Sequence, residues 1–292
     1  MPDTIPAPFC DRPWRSDGVS PSPEALAVPT MLSDEEGRLL HWLTRDYGTG
    51  AGAIVDLGCF LGGSTARLAS GADAAGRRAT IHAFDHFTIQ ENLKEKYLYP
   101  AGIARFDGEN MLPIAKHFLR PWQEMVTLVP GDIRHAEWRG EPIEILFIDA
   151  GKTPESTDRI AMLFMPHLIP GHSVVVQQDY QHWRQPWIAA QMEQLSPAFE
   201  LAGWCEKSTV IWRCTRRVTP EILAAGCVAA LDDAAMIDTL YSAAQRFPND
   251  KPRRQIARAV MAVEDNPGVR LPYQMRNDAF SNARVRAFLR SA

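Results

Sequence analysis

The chain has 292 residues, 46% hydrophobic and 23% charged, close to the averages of packed globular proteins, which excludes a wholly disordered chain, a fibrous repeat and a peptide too small to build a core. Thirty-one Lys and Arg against 35 Asp and Glu give a formal charge of −4 without a long run of one sign, so no broad footprint for nucleic acid is present, and no apolar run approaches the ~18 residues of a membrane span. The five cysteines (Cys10, Cys59, Cys205, Cys214, Cys227) share no CxxC spacing, and MPDTIPAPFCDRPWRSDG has neither a basic leader nor an apolar stretch; reduced thiols and a cytoplasmic location are expected.

Seven prolines (Pro2, Pro6, Pro8, Pro13, Pro21, Pro23, Pro29) crowd residues 1–30, a density that works against helix and central strand, so this stretch reads as an extended arm. A disordered tail is the plain reading; the other is that Phe9 and Trp14 fold back as a lid over a site. Ser33 and Glu36 have the spacing of a capping box, and Leu39, Leu40, Leu43 and Tyr47 form an apolar stripe, so a first helix ends near Gly48. Then AIVDL (53–57) reads as a buried strand, STARLAS as a helix and ATIHAF (79–84) as a strand. Further strands are expected at MVTLV (125–129), EILFID (144–149) and SVVVQ (173–177), with a helix around 155–168. FELAGW and STVIWRC (208–214) close the series as an antiparallel hairpin at the sheet edge. The alternation predicts a doubly wound, mainly parallel, Rossmann-like seven-stranded α/β sheet with helices on both faces, over residues 31–217.

Residues 218–292 read as a helical extension. Thr219 and Pro220 form an N-cap and first-position pair, and Ile222, Leu223, Leu231, Ile237, Leu240 and Tyr241 recur on a helical face. Two more helices are expected near 251–264 and 275–290. The extension offers a contact for a homodimer or a cap for a substrate.

The strongest chemical signal is IVDLGCFLGGST, residues 54–65. A buried strand ends in Asp56; Gly58, Gly62 and Gly63 let the backbone turn tightly and approach a ligand before a helix begins at about Ser64. In an open α/β sheet such a loop lies at the ligand-binding carboxyl ends of the strands. A nicotinamide dehydrogenase wants G-x-G-x-x-G; the spacing here is G-x-x-x-G-G, which favours a cofactor without pyrophosphate. Asp85 closes the second strand in HAFDHF, where a carboxylate can accept from both ribose hydroxyls. Gly131 and Asp132 (VPGDI) follow the third strand, and Asp149 (EILFIDAGKTPES) follows the fourth.

In these motifs the chain resembles the class I S-adenosylmethionine-dependent methyltransferases, whose first motif reads D/E-x-G-x-x-x-G; the resemblance spans about residues 33–214. It implies that the backbone of Gly58 and Gly62 cups the methionine part of S-adenosylmethionine, with Asp56 near its ammonium. Ser64, Asp85, Asp132 (at the adenine amino group) and Asp149 complete the cofactor-binding set. FIDAGK is similar to the FIDGDHSYE stretch of small-molecule O-methyltransferases, including the macrocin O-methyltransferase-like sugar enzymes. In that group the residue matching Asp149 and an Asp-Asp pair hold a divalent metal, which lowers the pKa of a substrate hydroxyl. The pair is here Gln178 and Asp179, and Gly151 and Lys152 stand where the group has a second Asp, its general base, and a His. The residues left to hold Mg2+ or Mn2+ are therefore Asp149, Gln178 and Asp179, one ligand being a neutral amide, which weakens such a site.

Asp149 faces the transferred methyl by this resemblance, and candidates for the base are Lys152, His86 and His182; His82, inside a strand, reads as a core histidine. Tyr180, Trp183 and Trp187 either line an acceptor pocket or pack helix against sheet. The expected function is O-methylation of a small-molecule hydroxyl, on a sugar or another natural product, with neither nucleic acid nor membrane as partner. The alternative is a protein that binds S-adenosylmethionine or S-adenosylhomocysteine without methyl transfer and uses its helical tail to hold a partner.

Overall fold

The computed structural model describes residues 4–276 and 281–291. The chain clusters into two compact units, one of residues up to Arg12 and from Glu137 onward, the other Pro13–Ala136; the division falls inside the span read from sequence as one domain.

In the unit Pro13–Ala136 the β-branched runs become β1 (Ala53–Leu57), β2 (Ile81–Asp85) and β3 (Val126–Pro130). They pair in parallel in the order β3-β2-β1, with Asp56 beside Ala83 and Asp85 beside Pro130. Every residue of β1 is buried, Asp56 included, as a strand covered on both faces requires. The capping box forms: Ser33 N donates to Glu36 Oε2 (2.8 Å) and Glu36 N to Ser33 Oγ (3.4 Å), starting helix Asp34–Trp42. A π-helical turn, Leu43–Tyr47, carries that helix to Gly48. Helix Gly63–Ala74 follows β1, and Cys59, Ala83, Phe87 and Ala115 form a buried cluster behind the strand ends.

In the other unit, β4 (Ile143–Ile148) and β5 (Val174–Gln177) are parallel, and β7 (Val210–Cys214) runs antiparallel to both β5 and β6 (Phe199–Trp204). Helix Pro154–Phe164 connects β4 to β5, and helix Pro186–Gln194 follows β5. The strand order is β3-β2-β1-β4-β5-β7-β6, the seven-stranded, mainly parallel, doubly wound α/β fold expected, closed by an antiparallel hairpin. The C-terminal segment contributes helices Pro220–Ala225, Asp233–Gln245, Asp250–Asp265 and Asn282–Ser291. Asp158, on helix Pro154–Phe164, ties this segment down: its carboxylate accepts from Val228 N (2.9 Å), Ala229 N (2.9 Å) and Gln191 Nε2 (3.0 Å).

Several expectations need correction. From residue 4 onward the proline-rich arm is not extended: it forms turns Phe9–Asp11 and Pro13–Arg15 and a short helix Pro23–Leu26, and Phe9 and Trp14 are fully buried. Pro13 and Pro23 open their turns, where the missing N–H costs nothing. The Trp14 indole donates to Glu35 (3.3 Å) and packs on Trp42. The single helical face read from Ile222 to Tyr241 is two helices, broken between Ala225 and Asp233. Helices Leu112–Phe118 and Pro186–Gln194 were not anticipated. The expected helix near 275–290 spans Asn282–Ser291, and residues 277–280 lie outside the described residues. Among the described residues no helix is long and apolar enough to cross a membrane.

Candidate functional site

The cofactor candidates lie in the unit Pro13–Ala136, at the ends of its three strands. After β1 the chain turns through Gly58 (φ +92) and Gly62 (φ +93), with Gly58 N donating to Phe84 O (2.8 Å). A Cβ on Gly62 would come within 2.7 Å of Leu119 Cδ1, and one on Gly63 within 2.5 Å of Thr30 Cβ. Glycine is required at Gly62 by both backbone and space, and at Gly63 by space. Asp56 is fully buried; its Oδ2 accepts from Ser64 Oγ (2.7 Å) and Thr65 Oγ1 (2.6 Å), so it closes the first turn of helix Gly63–Ala74. Ser64 thus touches Asp56, and Thr65 is a partner that the motif did not indicate.

Asp85 braces the loop. Its Oδ2 accepts from Phe60 N (2.9 Å) and its Oδ1 from Phe87 N (2.7 Å). Both phenylalanines have positive φ, 53° and 50°, a conformation costly for a bulky residue unless something holds it. Each carboxylate oxygen keeps a lone pair for a further donor. Asp132 caps turn Ile133–His135 through Arg134 N (2.8 Å) and pairs with the Arg134 guanidinium, two residues on. That guanidinium, its hydrogen bonds first, holds the carboxyl well below the usual range. Arg134 is a polar partner that sequence reading missed. His86 is exposed.

The remaining candidates lie in the other unit. Lys152 Nζ donates to Asp149 Oδ1 (2.5 Å) and Asp179 Oδ2 (3.0 Å), and Gln185 Nε2 also reaches Asp179 Oδ2 (2.9 Å). Burial works against the lysine's charge, but the two carboxylates outweigh it and hold the ammonium above its ordinary range. Burial likewise pushes Asp179 up, and Lys152, His182 and Gln185 together pull it below its ordinary value. His182 stacks on Trp183, and its Nδ1 is buried with no hydrogen-bond partner. Its pKa is lowered by burial and by Arg184 and Lys152, against Asp179.

The metal set does not assemble as expected. Gln178 is not brought to Asp149 and Asp179: its carbonyl oxygen accepts from the Thr209 hydroxyl and its Nε2 reaches Ser208 Oγ (3.4 Å). An ammonium stands between the two carboxylates, and among the described residues no group of three or more His, Cys, Asp or Glu side chains could hold a metal ion. The side chains of this cluster therefore do not fit a divalent cation. Of the aromatic candidates, Tyr180 packs on Trp212 and Phe247, and Trp187, fully buried, donates to Gly151 O (3.0 Å). Both serve packing, and only Trp183 is half-exposed.

No curated protein matches the chain. Among solved structures, the pyocyanin biosynthetic protein PhzM is 19% identical over 47% of this chain and 34% of its own, with a TM-score of 0.31. The S-adenosylhomocysteine-bound methyltransferase PaMTH1 of Podospora anserina is 14% identical over 80% and 77%, TM-score 0.33. CalO1, a methyltransferase in calicheamicin biosynthesis in its S-adenosylhomocysteine-bound form, is 15% identical over 49% and 34%, TM-score 0.27. The chain spans about a third of the length of PhzM and CalO1. Residues 55–180 match the family model described as a methyltransferase domain. That span holds the glycine loop and the candidate residues from Asp56 to Asp179.

Proposed function

We propose that the chain transfers the methyl group of S-adenosylmethionine to an oxygen of a small-molecule acceptor, a sugar or another natural-product hydroxyl. The observation that carries the reading is the loop after β1. Gly62 is held at φ +93 where a Cβ has no room, and Asp85 fixes Phe60 in the same turn while keeping acceptor capacity, a backbone suited to close approach by a polar ligand. Oxygen as the acceptor atom rests on the likeness of FIDAGK to the O-methyltransferase segment.

When bound, the cofactor supplies an electrophilic methyl on sulfonium sulfur and leaves as S-adenosylhomocysteine. The chain's own part in such a transfer would be to take up the proton of the acceptor hydroxyl. His182 suits that role: burial holds its pKa down, which favours the neutral, proton-accepting ring, and its Nδ1 has no hydrogen-bond partner. Lys152 suits it poorly, because two carboxylates hold its proton. Asp149 acts by positioning Lys152, and His86, exposed, is the other imidazole to compare.

The test is turnover of labelled S-adenosylmethionine against a library of hydroxyl compounds. Labelled product with at least one hydroxyl acceptor is expected, and His182→Gln should lower kcat by about 10²- to 10⁴-fold with S-adenosylhomocysteine affinity unchanged. Full activity in that variant would move the role to His86. Cofactor binding without turnover on any acceptor would favour the binding protein.

A further inference from the structure

We infer that Lys152 is a built-in counter-cation: its ammonium, seated between Asp149 and Asp179, takes the place of a divalent ion at these carboxylates and keeps the chain from binding one there. Three observations converge on this. Both carboxylates are at least three-quarters buried, with side-chain exposures of 25% and 22%, and two such groups in one place need a compensating charge. The lysine supplies it by direct contact at 2.5 and 3.0 Å, with the three N–H donors of a compact point charge. The rest of a hard-ion shell is committed elsewhere, Gln178 to Thr209 and Ser208, and Gln185 to the same Asp179 oxygen that meets the lysine.

The backbone presents the ammonium in a defined way. Lys152 N donates to Ala150 O (2.8 Å), and Gly151 O accepts from Trp187 Nε1 (3.0 Å) and Thr157 Oγ1 (3.2 Å), so the turn that carries the lysine is anchored to two helices. A divalent ion entering between the carboxylates would meet a like charge within a few ångströms and would have to expel it. The inference concerns which cation the pair holds and does not rest on the acceptor atom proposed above, because metal uptake is read without methyl transfer.

The test uses the full chain with Mn2+ as probe, followed by electron paramagnetic resonance, and thermal melts in EDTA and in Mn2+. The wild type should take up Mn2+ no better than the Asp149→Asn variant, and its Tm should not respond to the ion. Lys152→Met, close in length and uncharged, should melt lower in EDTA, recover with Mn2+, and gain one Mn2+ site at least tenfold tighter than any in the wild type. Adding Asp179→Asn should remove that gained site. A folded Lys152→Met chain, judged by near-ultraviolet circular dichroism and S-adenosylhomocysteine binding, that gains no site would overturn the inference. A wild-type Mn2+ site that Asp149→Asn abolishes would overturn it too, and that comparison does not depend on the lysine variant folding.

Discussion

Replacing Asp85 by alanine removes at one stroke the acceptor of two backbone N–H groups, at 2.9 and 2.7 Å, whose residues Phe60 and Phe87 both hold positive φ. A hydrogen bond to a charged group contributes about 1.5–3 kcal/mol. Water reaches part of this group, so the low end is the better guide, and the two bonds together are worth about 3 kcal/mol. For a chain of this size that is a fall in Tm of roughly 6–12 °C. If the same oxygens take two ribose hydroxyls, as the proposed site requires, losing that pair removes about 3 kcal/mol of binding, roughly 100-fold in affinity. Asp85→Asn is the sharper probe: its Oδ1 still serves Phe87 while its NH2 confronts the Phe60 N–H, so the strand end stays capped and the loop end is released. Calorimetric titration with S-adenosylhomocysteine reads the affinity and scanning calorimetry the stability. An Asp85→Ala chain that is folded and binds within threefold of wild type refutes the assignment of this carboxylate.

Other expectations follow from the same geometry. Gly62→Ala combines a positive φ with a Cβ 2.7 Å from Leu119 Cδ1; a loss of about 2–4 kcal/mol in urea unfolding is expected, and Leu119→Ala in the same chain should relieve the clash but not the backbone strain. Thr65→Val keeps the volume but withdraws one of two hydroxyl donors from the buried Asp56, and about 1.5–3 kcal/mol of stability should go with it; an unchanged midpoint would mean another donor takes over. Burial, aided by Arg45, lowers the pKa of His41 from 6.5 to about 4. The unfolded chain therefore binds this proton more tightly, and stability fully present above pH 6.5 drains away as pH falls through 4, by on the order of 3 kcal/mol. His41→Gln should flatten that slope in pH-dependent urea melts, and an undiminished slope would assign it to other groups.

What could be read in the sequence was what is local. The capping box of Ser33 and Glu36, the strand–glycine–helix unit around Gly58 and Gly62, and the carboxylates at strand ends each depend on residues within one turn or one strand, so type and spacing carry them. The partners of those groups were less visible. Thr65 faces Asp56 only once helix Gly63–Ala74 has formed, and Arg134 reaches Asp132 through a turn of its own. Lys152 meets Asp179 across 27 positions of sequence because β4 and β5 are neighbours, a register that no single segment encodes. The arm was misread for the opposite reason. Proline density was weighed as a whole, whereas what mattered was that Pro13 and Pro23 open turns and that Phe9 and Trp14 are large enough to be worth burying.

The carboxylate of Asp158 changes what the C-terminal segment is. Its backbone donors sit at Val228 and Ala229, past the point at which composition alone would draw a boundary, and burial pushes the acid's pKa up even with three donors in place. A chain shortened at residue 217 would lose two of that acid's three donors and keep Gln191, so the shortened form should be less stable than the full chain. Residues 228 and 229 thus serve a helical side chain seventy positions earlier, and the tail is a structural partner of the helix that carries it.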